Sequence, residues 1–209
     1  MASGIIEKVT AFVTRQREGE RQLLLFEHPD AGVQIPAGTI EIEESPERAV
    51  LREAAEETGL TEFSALRYLG CAERELPAGQ RVMARSTTVY ARPDATSFDW
   101  AHLRRGIPVV LTGRSADGFT QVTYEELDRV PDPQYVTMCI TAWVPDDALA
   151  GSQRRHFFLL AFDGQTDERW TVFTDNHAFT LFWASLTDLP EIVHPQDEWL
   201  DFLYKTSFE

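Results

Sequence analysis

The chain has 209 residues, 43% of them hydrophobic and 25% charged, which suits one folded domain with a sizeable core. Nineteen Lys and Arg stand against thirty-four Asp and Glu, a net charge of −15. That balance excludes nonspecific nucleic-acid binding and adhesion to anionic membranes, both of which set cationic side chains against phosphate. No apolar run is long enough to cross a bilayer, and the opening MASGIIEKVTAFV lacks a basic stretch followed by an apolar segment, so a cytoplasmic location is expected.

In chain order, EKVTAFVTR and RQLLLFEH read as strands joined through QREGE, a polar turn with glycine, and GVQIPAG as a further short strand. A helix is expected from Pro46 to Thr58, with Ser45 as its N-cap, proline at its first position and Gly59 closing it. ALRYLGCAERE and RVMARSTTVYAR follow as β-rich segments, and RPDATSFDWAHLRRGIP reads as a loop or short helix. More strands are expected from PVVLTGRSADGFT to the apolar RRHFFLLAF. The tail FTLFWASLTDLPEIVHPQDEWLDFLYK reads as a strand, a turn and an amphipathic helix that buries Trp199, Phe202 and Leu203. Cys71 and Cys139 form no disulfide or zinc framework and are expected to be reduced and buried.

Residues 38–60, GTIEIEESPERAVLREAAEETGL, hold seven glutamates. Like charges at helical i,i+4 spacing cost stability, so the crowding asks for a chemical reason. Glu53, Glu56 and Glu57 stand at i, i+3 and i+4 and share one face of the expected helix, where carboxylates suit a hard divalent cation, Mg2+ or Mn2+. Arg52 can brace one of them with a two-pronged hydrogen bond. Val50, Leu51 and Ala54 supply the opposite, apolar face. A solvated acidic helix face is the plainer alternative on composition alone.

The spacing goes further. Gly38, Glu44 and the run Arg52-Glu53-Ala54-Ala55-Glu56-Glu57-Thr58-Gly59-Leu60 resemble the signature of the Nudix hydrolases at every fixed position, with Ala54 where a larger aliphatic residue is usual. VQIPAGTIE, RRHFFLLAF and FTLFWASLTDLP are similar to the strands that flank that signature. The resemblance implies an α/β fold, an α/β/α sandwich on a mixed β-sheet, as a single domain over 1–209 interrupted by a β-rich insertion at about 76–152. It implies a metal-dependent hydrolase that cleaves the pyrophosphate bond of a nucleoside diphosphate linked to another group. By position, Glu53, Glu56 and Glu57 resemble the metal ligands, the Gly38 carbonyl a further ligand, and Arg52 the residue that orients a carboxylate. Glu44 is either a ligand through water or a brace.

The water-activating base is open between Glu56 or Glu57 and the loop carrying Asp175 and His177. For substrate phosphate the expected cations are Arg154 and Arg155, ahead of Arg104 and Arg105. For a base or ring the candidates are Trp143, Phe157, Trp170, Phe179 and, singled out among them, Trp183. Pro77 reads as a turn residue. The expected partner is a small nucleotide derivative, with no nucleic acid and no membrane; a homodimer is compatible with the sequence. The competing function is a Nudix-fold nucleotide-binding or sensor module with reduced catalysis, although no box acid is missing. A DNA-binding regulator lacks its basic helix-turn-helix, and an isoprenoid diphosphate isomerase lacks its altered box.

Overall fold

The computed structural model describes residues 4–129, 133–174 and 177–206. Its strands are β1 (Gly4–Arg17), β2 (Glu20–His28), β3 (Gly32–Gln34), β4 (Ala37–Thr39), β5 (Ala65–Glu75), β6 (Gln80–Met83), β7 (Thr87–Tyr90), β8 (Asp99–Leu103), β9 (Pro108–Ala116), β10 (Phe119–Leu127), β11 (Val136–Pro145), β12 (Leu149–Ala161), β13 (Arg169–Thr174) and β14 (His177–Ser185). Its helices are α1 (Pro46–Thr58) and α2 (Gln196–Thr206). The chain divides into two compact units, residues 1–7 with 73–154 and residues 8–72 with 155–209, and the division falls within β1, β5 and β12.

In the second unit the strands run β13-β14-β2-β1-β12, with β3 beside β2, β4 beside β1 and β5 beside β12. Strand periodicity sends neighbouring side chains to opposite faces. Val9, Ala11 and Val13 of β1, Leu24 and Phe26 of β2 and Phe158 and Leu160 of β12 therefore share a core with Ala49, Val50 and Ala54 of α1. The alternate residues Phe12, Leu23, Leu25 and Phe157 meet Leu203, Trp199 and Phe202 of α2 on the other face. The result is an α/β/α sandwich. The β1–β2 hairpin closes through Glu18 and Gly19, both at positive φ, the conformation a two-residue turn requires between twisted strands. Pro36, which has no N–H to give a ladder, falls between β3 and β4 and divides the single expected strand into two.

The first unit orders its strands β6-β9-β10-β11-β7-β8, with β12 beside β6. Met83, Val89, Leu103, Val109, Val122, Ala142, Val144 and Leu149 form its core. Three local expectations are corrected. DWAHL forms β8 rather than a loop or short helix: pairing with β7, Thr87 opposite Leu103, outweighs a composition poor in β-branched residues. Cys71 and Cys139 are free and exposed, not buried, because no residue of β5 is buried and the start of β11, residues 136–139, is exposed on both faces. Leu51 is also 38% exposed, so Ala49 takes its place on the packed face of α1. Among the described residues no helix is long and apolar enough to cross a membrane.

Candidate active site

The α1 helix is held at both ends. The Ser45 hydroxyl accepts the N–H of Arg48, Pro46 occupies the first turn without an N–H to lose, and Gly59 at φ 74° donates its N–H to the Ala55 carbonyl. The Trp170 indole adds a hydrogen bond to the Thr58 carbonyl at 2.9 Å, satisfying a helix-end acceptor from β13. These ends set which residues face β4.

Glu53 and Glu57 straddle Gly38. The Thr39 N–H donates to Glu53 Oε1 at 3.0 Å, and the Ala37 N–H donates to Glu57 Oε2 at 2.9 Å. Between them the Glu53 carboxylate lies so close to Gly38 that a β-carbon there would fall 1.9 Å from Glu53 Cδ. Gly38 itself stands opposite Val9 in the β1–β4 ladder. While Glu53 holds this position, only a residue with no side chain fits here.

Arg52 gathers the neighbouring acids. Its Nε and Nη2 donate to Glu44 at 2.9 and 2.8 Å, its Nη2 also to the Thr39 carbonyl at 3.1 Å, and its Nη1 lies 3.0 Å from Glu53 and 3.2 Å from Glu56. Glu44 in turn accepts the Glu41 N–H, so the loop before the helix is tied to the same guanidinium. The Arg52 hydrogen bonds hold the Glu44 carboxyl below its ordinary pKa. Glu53, with its side chain 13% exposed, moves the other way: burial raises its pKa, and the Glu56 charge adds to that, against Arg52. Glu56 is half exposed. Among the described residues no three His, Cys, Asp or Glu side chains gather around one point at metal-ligand range.

The other expected residues have separate surroundings. Arg154 is paired with Glu7 at 3.1 Å and Glu73 at 2.9 Å. Arg155 donates to the Val9 carbonyl and the Thr10 hydroxyl, both at 3.0 Å, and its guanidinium lies 4.0 Å above the Trp199 ring of α2. Trp183 is 8% exposed, with Arg15 over its ring, Phe162 stacked beside it and its indole N–H on Thr166. Phe157 and Phe179 are core residues, and Trp170 is spent on the helix end. Arg105 donates to the Ala84 carbonyl within the first unit. The His177 ring lies tilted 4.6 Å from that of His28, and its Nδ1 lies 3.8 Å from Asp30, while Asp175 lies outside the described residues.

Residues 7–105 match the model of the NUDIX domain. Solved structures similar to this chain include the NUDIX domain of Shewanella oneidensis NrtR complexed with ADP ribose, 12% identical, spanning 97% of this chain and 88% of that one at a TM-score of 0.49. A Caenorhabditis elegans Ap4A hydrolase in a binary complex is 12% identical over 98% and 97% of the two chains, at 0.46. A point mutant of the Bacillus subtilis pyrophosphohydrolase BsRppH is 14% identical over 99% and 85%, at 0.41. No curated protein matches the chain.

Sequence reasoning reached the box but missed two features. Nothing in the sequence flagged Arg15, buried on Trp183 and paired with Glu168, since a lone strand arginine has no periodic signature. It also passed over Arg81 and Arg114, although Gly113 inside a strand pattern is a bulge signal.

Proposed function

We propose that this protein is a Nudix pyrophosphohydrolase that cleaves the phosphoanhydride of a nucleoside diphosphate linked to another group, as a single catalytic domain interrupted by an insertion at about 76–152. The observation that carries the reading is the Glu53 carboxylate seated against Gly38, with Arg52 joining Glu44, Glu53 and Glu56. A buried carboxylate whose proton affinity is raised by burial and by a second carboxylate is a site that a cation would relieve.

The oxygen donors are of the kind a divalent ion takes, although the three carboxylates do not converge on one point. Mg2+ commonly uses one or two carboxylates and completes its shell with water and substrate phosphate, so the acids need not form a closed cage. Glu53, Glu56 and Glu57, with the Gly38 carbonyl, are the residues that would hold it. When bound, the ion neutralises phosphate oxygens and acidifies water. Arg52 fixes the carboxylates in place, and Glu44 ties the loop to Arg52. Glu56, half exposed and within reach of solvent, is our choice to take the proton of the attacking water. Water adds to one phosphorus, the bridging oxygen leaves with the bonding pair and a proton, and two phosphate products result.

The test is a panel of nucleoside diphosphate derivatives incubated with Mg2+ or Mn2+, read by phosphate release and product mass. Turnover that depends on the metal and is lost in Glu53→Gln, Glu57→Gln protein is expected. Tight nucleotide binding without turnover would instead make the chain a binding or sensor module. Rate against pH at saturating metal separates the bases: Glu56→Gln should collapse turnover while His177→Ala changes it modestly, and the reverse order would reassign the base.

A further inference from the structure

We propose a second anion site, for a phosphate group, in a cleft of ≈ 760 Å³ whose lining belongs wholly to the first unit. Arg81 and Arg114 line it together with Ser115, Thr120, Asp146 and Asp147.

A β-bulge builds the site. In the β9–β10 ladder Thr120 faces Ser115 but Val122 faces Leu111, so three residues of β9 stand against one of β10. Gly113 takes φ 85° within this bulge, and the Thr112 hydroxyl secures it by donating to Gln121 Oε1 at 2.9 Å and accepting the Arg114 N–H at 3.4 Å. Consecutive strand residues normally point to opposite faces; here Arg114 and Ser115 both line the cleft. Bulges re-aim side chains in this way next to binding sites.

The charges then decide the ligand. Asp147 is paired with Arg85 at 2.7 Å, and Asp146 accepts the Thr120 hydroxyl at 2.6 Å. Among the described residues Arg114 has no acidic partner, and Arg81 donates only to the Gln80 carbonyl. With Asp147 paired to Arg85, two arginines without an ion pair among the described residues share the lining with one unpaired carboxylate, Asp146, and this positive excess in a chain carrying −15 attracts an oxyanion. Guanidinium forks match phosphate geometry. The same chemistry serves free phosphate or the phosphate of a nucleotide.

The test uses the full chain in chelating buffer, which removes divalent metal and separates this site from the box and from any question of turnover. Inorganic phosphate and ADP are titrated in turn, followed by calorimetry and by amide NMR shifts. Saturable shifts confined to the Arg81 and Gly113–Thr120 amides are expected, and Arg81→Gln, Arg114→Gln protein should bind at least roughly tenfold more weakly. Arg114→Lys should recover part of the affinity. Tighter ADP assigns the site to a nucleotide phosphate, and tighter inorganic phosphate assigns it to the free ion. Equal affinity in the double variant, with its fold intact by circular dichroism, or shifts that map outside these amides, would overturn the proposal.

Discussion

The Glu53 carboxylate occupies the space that a side chain at residue 38 would need: a β-carbon on Gly38 would meet Glu53 Oε1 at 2.0 Å and Oε2 at 2.2 Å. The glycine is thus a requirement of the site as Glu53 occupies it. Gly38→Ala should push the carboxylate off the Thr39 N–H and destabilise the protein by about 1–3 kcal/mol through overpacking. It should also abolish most turnover on the panel substrates. A variant with unchanged melting temperature and rate would show that Glu53 moves aside freely and that its seat is not needed.

Arg52 contacts Glu44, Glu53, Glu56 and the Thr39 carbonyl through one planar fork. Lysine keeps the charge but cannot make the parallel pair of bonds to Glu44. Arg52→Lys should therefore lower kcat by about 10–100-fold, the usual scale for losing a residue that orients ligands, with KM less affected. Its thermal stability should change less than that of Arg52→Ala, since lysine keeps a positive charge beside the largely buried Glu44 and Glu53. An equal loss in Arg52→Lys and Arg52→Ala supports the fork; full activity in Arg52→Lys would reduce Arg52 to a simple positive charge.

His28 supplies a pH dependence with a definite sign. Burial lowers its pKa below 6.5, His177 lowers it further, and Asp30 opposes both. The Asp30 N–H donates to His28 Nδ1 at 3.0 Å, a bond that requires this nitrogen to be unprotonated. A histidine with a depressed folded-state pKa contributes stability that is fully present above the unfolded value, about 6.5, and is lost as pH falls through the folded one. His177→Ala should move the His28 titration upward in ring NMR spectra and flatten the loss of stability on that acid limb. A His28 midpoint that stays put or falls would remove His177 as a cause.

The box was legible because each of its signals is local. Ser45, Pro46 and Gly59 mark the helix ends, and i, i+3, i+4 spacing puts the glutamates on one face whatever the rest of the chain does. The contact between Gly38 and Glu53 was not legible, because the spacing cannot say that the helix face would be pressed against β4. Arg155 and Trp183 show the same limit: a cation and an aromatic ring suit substrate equally well in sequence. Only tertiary packing spends Arg155 on Trp199 and Thr10, and Trp183 on Arg15 and Phe162. For β8, local composition favoured a loop, and pairing with β7 decided otherwise.

The Arg15–Glu168 pair predicts an asymmetry between its two halves. Arg15 is buried, its side chain 6% exposed, and donates to Glu168 at 3.0 Å and to Gln22 at 2.7 Å while lying 4.3 Å over the Trp183 ring; Glu168 is 60% exposed. Burial, and then the nearby Arg17, lower the Arg15 pKa, and Arg17 also pairs with Glu168. Removing Arg15 leaves a carboxylate that water can solvate, whereas removing Glu168 leaves a buried guanidinium beside a second cation. Arg15→Met should therefore cost about 1 kcal/mol, since methionine keeps much of the contact with Trp183, and Glu168→Ala more, about 1–3 kcal/mol after allowance for the exposed partner. The double variant should cost less than the sum, because the stranded charge is gone. Urea unfolding of the four proteins measures the cycle. An Arg15→Met loss larger than that of Glu168→Ala would place the energy in the stacking of Arg15 on Trp183 rather than in the charge pair.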